Sequence, residues 1–206
     1  LLIEDNRDVA AYLISILEKD YQVVTAEDGQ AGIEKALELI PDIIISDVMM
    51  PRKDGFEVCR ALKLDERTSH IPIILLTAKA EEEAKIQGLK TGADAYLMKP
   101  FNREELFVRL EKLLELRKQL QKKYAQAGTT STADSPPSTT EPTLDDLFMQ
   151  KFQQAIEKNM GQADFGIDGL CKMLSMSRTQ LYRKAKALTG ESPARFIQKV
   201  QLNKAR

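Results

Sequence analysis

Four apolar runs of this 206-residue chain end on polar side chains, and that pattern narrows the folds open to it. Leu1-Leu2-Ile3 runs into Glu4-Asp5, Ile43-Ile44-Ile45 into Ser46-Asp47, Ile73-Ile74-Leu75-Leu76 into Thr77, and Tyr96-Leu97-Met98 into Lys99. Short continuous apolar runs between helical stretches read as buried parallel strands. Between them, apolar residues recur at helical spacing: Val9, Leu13, Ile16 and Leu17 over roughly 8–18, then a helix ending before Pro41, one from Phe56 to Leu64, and one over 81–91 closed by Gly92. With a further strand over Tyr21–Ala26, the order is that of five βα units, an α/β fold with a five-stranded, parallel, doubly wound sheet. In such a sheet ligands gather at the carboxyl ends of the strands, so Glu4, Asp5, Asp47, Thr77 and Lys99 come to one rim.

Charge decides what that rim can do. Three crowded carboxylates repel one another, and either one takes up a proton or a divalent cation sits among them. Magnesium fits best, because it takes hard oxygen ligands, keeps several waters and is bound through one or two carboxylates plus a phosphate. Lys99 supplies a fixed positive charge, Thr77 a hydroxyl donor, and Asp47 a carboxylate nucleophile of the kind that forms an aspartyl phosphate. Any one of these residues alone is an ordinary surface polar group; their joint placement points to a site. Phosphatases of the haloacid dehalogenase kind also use a strand-end Asp with magnesium, but they need a second Asp two residues on, and that position is Met49.

On these residues the chain resembles a known family. Leu2-Ile3-Glu4-Asp5-Asn6, Ser46-Asp47-Val48-Met49-Met50-Pro51-Arg52-Lys53-Asp54-Gly55, Leu75-Leu76-Thr77-Ala78 and Asp94-Ala95-Tyr96-Leu97-Met98-Lys99-Pro100-Phe101 are similar to the receiver domain of two-component response regulators, over residues 1 to about 120. The resemblance implies a flavodoxin-like fold in which Asp47 receives a phosphoryl group from the phosphohistidine of a histidine kinase. It also implies that Asp5, Asp47 and the backbone carbonyl of Met49 hold magnesium, with Glu4 assisting through water, and that Thr77 and Lys99 bind the phosphoryl oxygens. Thr77 and Tyr96 stand where the family has a Thr and an aromatic residue that swing together on phosphorylation. Lys99-Pro100 matches the family's cis peptide, a conformation reasonable only before proline.

The second half differs in composition and charge. Residues 1–127 carry 19 Lys and Arg against 23 Asp and Glu, whereas residues 144–206 carry 11 against 6, so an overall net charge of -1 joins an acidic half to a basic one. A basic surplus points to a polyanionic partner. Between them Gly128–Thr143 is Gly, Ser, Thr, Pro and Ala with two charges, the composition of a flexible linker. The reading divides the chain into 1–124, 125–143 and 144–206.

Beyond the linker, short helices are expected over Leu144–Met160, Ile167–Leu174 and Ser177–Leu188, and from Ser192 onward. Ser177 and Gln180 have capping-box spacing, and Ser192-Pro193 places an N-cap before a first-turn proline. A helix, the turn Ser175-Met176-Ser177 and a second helix have the spacing of a helix-turn-helix, which lays its second helix in a DNA major groove. On that helix Leu181, Ala185 and Leu188 pack inward, and Arg178, Thr179, Tyr182, Arg183 and Lys186 project outward. Arg183 is the candidate base reader, since a guanidinium bonds both guanine acceptors, while Lys184 and Lys186 are expected at phosphates. A solvated basic helix in a small all-α bundle is the alternative.

The stretch Leu174-Ser175-Met176-Ser177-Arg178-Thr179-Gln180-Leu181-Tyr182-Arg183-Lys184, with Leu188-Thr189-Gly190-Glu191-Ser192-Pro193, resembles the first half of an AraC-type DNA-binding domain. Such domains carry two helix-turn-helix units joined by a long helix, and residue 206 falls inside that joining helix.

Three further expectations concern association and place. The helix from Asn102 sets Leu106, Leu110, Leu113 and Leu120 at coiled-coil spacing, a seam through which two copies could form a homodimer, though Arg117 and Tyr124 interrupt it. Cys59 and Cys171 read as buried thiols of a reducing compartment, His70 as a solvated loop residue, and no apolar stretch of about 18 residues spans a membrane. A cytoplasmic segment without membrane contact, cut from something longer, is the reading; no glycine-rich nucleotide loop makes it a kinase itself. The functions this supports are a phosphorylation-controlled transcription regulator, a segment of a hybrid sensor histidine kinase anchored in the inner membrane, or an unphosphorylated interaction module.

Overall fold

A computed structural model describes residues 1–78, 92–127, 142–159 and 165–204; the helix expected over 81–91 and the segment 128–141 lie outside the described residues. The chain divides into two compact units, Leu1–Leu114 and Glu115–Arg206. The division falls ten residues before the boundary expected after 124.

The first unit runs β1 (Leu2–Ile3), α1 (Arg7–Leu17), β2 (Thr25–Ala26), α2 (Gly29–Leu39), β3 (Ile44–Asp47), α3 (Gly55–Leu64), β4 (Ile73–Ala78), β5 (Ala95–Lys99) and α4 (Arg103–Ala127). Each of the first three helices starts on a side chain that satisfies its free amides. Asn6 accepts from Asp8 and Val9, Asp28 accepts from Ala31, and Asp54 forms a capping box with Glu57. The strands pair in parallel in the order β2-β1-β3-β4-β5, the flavodoxin-like arrangement. The expected strand over Tyr21–Ala26 is shorter, reduced to Thr25–Ala26 at the sheet edge.

Side chains alternate across a strand, and here the alternation builds two cores. Ile3, Ile44, Ile73 and Leu75 meet α2 and α3 through Ile33, Ala36, Val58, Cys59 and Leu62. Leu2, Ile45, Ile74, Leu76 and Leu97 meet α1 and α4 through Leu13, Leu17, Leu106, Leu110 and Leu113. Leu106, Leu110 and Leu113 are therefore core residues and not a dimer seam; the same spacing serves a helix lying on a sheet. His70 is also not solvated, since both its ring nitrogens are shielded from water. Cys59 is buried as expected, whereas Cys171 is only half-buried.

The second unit contains the end of α4 with α5 (Leu144–Asn159), α6 (Ile167–Met173), α7 (Arg178–Thr189) and α8 (Pro193–Lys204). Phe148, Phe152 and Phe196 stack with ring centroids 5.7 and 5.2 Å apart, within a core that includes Ile156, Leu170, Leu181, Ala185 and Leu188. Ser177 and Gln180 form the expected capping box on α7, and Gly190 closes it at φ 74°, a left-handed conformation suited to glycine. Among the described residues no helix is long and apolar enough to cross a membrane.

Lys184 departs from the phosphate role expected of it. Its side chain is fully buried, with Nζ 2.9 Å from Asp145 Oδ1 and 4.8 Å from the centroid of the Phe148 ring. A buried charge needs its partner, and removing one member of such a pair costs about 3–5 kcal/mol. Asp145→Ala should therefore lower stability by about 3 kcal/mol in urea unfolding of the whole chain, and the double change Asp145→Leu with Lys184→Met should recover most of the loss. Wild-type stability in Asp145→Ala would show that the pair does not hold α5 to α7.

Candidate active site

In a sheet ordered 2-1-3-4-5 the chain reverses direction between β1 and β3, which opens a crevice at their carboxyl ends. Glu4 and Asp5 follow β1, and Asp47 is the last residue of β3. Carboxylate oxygens of these three lie within 4.8 Å of one another. Glu4 and Asp47 are buried and Asp5 is exposed, so the cluster opens to solvent on one side.

Lys99, the last residue of β5, answers two of the three. Its Nζ stands 2.8 Å from Asp47 Oδ1 and 3.0 Å from Glu4 Oε2. Burial works against the Lys99 charge, but the hydrogen bonds to Asp47 and Glu4 prevail and raise its pKa. Glu4 is pushed up as well, first by burial and also by the Asp47 charge, against the pull of Lys99 and the Asn6 amide. That amide donates to Glu4 Oε1 at 3.3 Å, so the residue capping α1 also steadies the carboxylate.

Strand parity sorts the remaining residues. Leu75 is opposite Tyr96 and Thr77 opposite Met98, which places Thr77 and Tyr96 on the α2 and α3 side of the sheet, whereas Leu97 and Lys99 belong to the other side. Both Thr77 and Tyr96 are half-buried. Met49 is 66% exposed in the loop after β3. The Lys99-Pro100 peptide is cis, as the resemblance implied.

What the sequence reading missed is how the β3–α3 loop is held. A Cβ on Gly55 would stand 2.2 Å from the Asp47 carbonyl oxygen, and one on Gly29 would stand 2.1 Å from that of Lys53, so both contacts require glycine. Arg52, at φ 67°, reaches Asp28 at 3.4 Å and ties the loop to the start of α2. An Asp-Gly pair before a helix was the available signal, but it reads equally well as a plain helix cap.

On the second unit, Arg178, Thr179, Tyr182, Arg183 and Lys186 are all exposed along α7 as expected. The first four line an open recess of about 300 Å³ with Ile167 and Pro193. Arg178 is not loose: its Nε donates to Asp168 Oδ1 at 2.5 Å and its Nη2 bonds Asp168 Oδ2. Lys186 Nζ lies 5.8 Å over the Tyr182 ring.

Known proteins match the first unit, and one relative matches along the whole chain. Histidine kinase P4 of Formosa agariphila is 36% identical over 205 residues, all of this chain and 15% of that protein. The DNA-binding dual master transcriptional regulator RpaA of Synechocystis is 47% identical over 116 residues, 55% of this chain and 48% of that one. The chain thus spans less than half the length of either relative. Among solved structures, the receiver domain of sensor histidine kinase PA1611 from Pseudomonas aeruginosa PAO1, with a magnesium ion coordinated in its active site cleft, superposes with a TM-score of 0.52 at 31% identity, covering 55% of this chain and 94% of that one. The profile of the response regulator receiver domain matches residues 1–111. With the family profile matched over more than half its length and the five-stranded parallel order 2-1-3-4-5, the chain belongs to the response regulator receiver domain family.

Proposed function

We propose that this chain is the phosphorylation-controlled part of a transcription regulator, with Asp47 as phosphoacceptor and α7 as a DNA-reading helix. The observation that carries the first half is the carboxylate cluster with Lys99 Nζ 2.8 Å from Asp47. Three carboxylates facing one ammonium leave an excess of negative charge that suits a hard divalent cation. Asp5, Asp47 and the Met49 carbonyl would hold magnesium, with Glu4 behind them through water; when bound, the ion offsets phosphoryl charge. In the reaction an Asp47 carboxylate oxygen bonds phosphorus as the bond to the donor histidine nitrogen breaks, the electron pair leaving with the imidazole. Lys99, held charged by Asp47 and Glu4, would meet the incoming oxygens, and Thr77 would offer a hydroxyl from the opposite side of the strand layer. Thr77 and Tyr96, sharing that side, are the pair through which occupancy of Asp47 would shift the populations of two conformations.

The second half of the reading rests on the basic exposed face of α7 above an apolar inner face, after a short turn from α6, as in an AraC-type helix-turn-helix. Arg183 is proposed as base reader and Lys186 as a phosphate contact, with Arg178, Thr179 and Tyr182 beside them. Alignment of Histidine kinase P4 with both units along the whole chain favours the hybrid arrangement, in which a histidine kinase phosphodonor shares the polypeptide.

Treatment with phosphoramidate should give a phosphoryl adduct by intact mass that requires magnesium and disappears in Asp47→Asn; labelling of that variant at wild-type level would sink the assignment. In a longer chain carrying a complete AraC-type domain, Arg183→Ala should weaken operator binding by about 1–3 kcal/mol and relax preference at one base position. A uniform loss across all DNA sequences would instead make Arg183 a phosphate contact.

A further inference from the structure

The last turns of α4 are bound up with the helices beyond residue 142. Tyr124 is 7% exposed and sits in one core with Phe148, Phe152, Leu181 and Val200. Its hydroxyl donates to Asp146 Oδ1 at 2.8 Å, while Asp146 Oδ2 accepts from the Thr143 amide and hydroxyl at the start of α5. Burial first, and then the bond to Asp146, push the phenol far above the ordinary tyrosine range, which keeps it a donor.

A second contact reaches α7. Gln121 Nε2 donates to the carbonyl oxygens of Ala187 at 2.9 Å and Lys186 at 3.4 Å. These carbonyls lie in the final turn of α7, where the Lys186 oxygen also accepts from the Gly190 amide at 2.9 Å. A third contact runs the other way, Lys199 Nζ on α8 donating to the Ala125 carbonyl at 3.1 Å, in the final turn of α4. One helix end thus meets α5, α7 and α8 through one buried ring and three sets of hydrogen bonds.

We propose that Glu115–Ala127 is the first helix of the second unit, and that Tyr124 and Gln121 are positioning residues that fix α5 and the end of α7. Glu115–Ala127 and the helices from Leu144 onward are then parts of one folded unit. Only the purpose of fixing α7 rests on the DNA-reading role proposed above; the assembly itself does not.

The test cuts the connection in the full chain. A site-specific protease sequence is inserted between Ser135 and Pro136, cleaved to completion, and the products are run on a sizing column in native buffer. The pieces 1–135 and 136–206 should elute together at the uncut size and part only in denaturant; separation in native buffer overturns the proposal. Tyr124→Phe, which keeps the ring and loses one bond to a carboxylate, should raise the dissociation constant of the cut pieces about tenfold. Unchanged association in that variant removes Tyr124 from its assigned role. Gln121→Ala should speed exchange of the Gly190 amide, which donates to Lys186 O at 2.9 Å, several-fold, and an unchanged rate removes Gln121 in the same way. None of these readouts involves DNA, so a chain that stays assembled and binds no operator refutes only the reading of α7.

Discussion

Three carboxylates and one ammonium at the carboxyl ends of β1, β3 and β5 set the terms for the first unit. Repulsion among Glu4, Asp5 and Asp47 would open the rim if nothing answered it. Lys99 spans two of them from the far end of β5, so the ion cluster links three of the five strands at their carboxyl ends. The sheet makes this possible, because parallel pairing in the order 2-1-3-4-5 puts every strand end on the same side. The helices follow from the sheet, since both its faces are apolar and each must be covered.

The loop after β3 shows how that arrangement is protected. Asp47 can stay at the rim only if the chain turns away at once, and Gly55 allows the turn by letting α3 start against the Asp47 carbonyl. Arg52 and Gly29 hold the same loop to α2. Glu4 and Asp47 are thus buried at the strand ends while Asp5 and Met49 face solvent.

The second unit is organised by a different device. Its core is built around three stacked phenylalanines, and a buried lysine and a buried tyrosine are matched to Asp145 and Asp146, neighbours on the first turn of α5. Buried polar groups tolerate few alternative partners, so such pairs fix which helix faces which. The outward face of α7 carries Arg183 and Lys186, both exposed.

The amino-acid order by itself determined the strand ends and the helix faces, because both are periodic and local: apolar runs that stop at Asp47 or Lys99, a capping box at Ser177, an inward stripe at Leu181, Ala185 and Leu188. It therefore located the acidic rim and the exposed basic helix. Tertiary structure alone decided the partners of residues with two plausible fates. Leu106, Leu110 and Leu113 have the spacing of a seam between copies and equally of a helix on a sheet, and the uncovered sheet face claimed them. Lys184 lies one position from outward-facing Arg183, and a turn of about 100° per residue carried it to the buried side, where Asp145 was waiting. Arg52 with Asp28 and Tyr124 with Asp146 are contacts across 24 and 22 positions, and no local pattern announces which polar residue a folded chain will bring within reach of another.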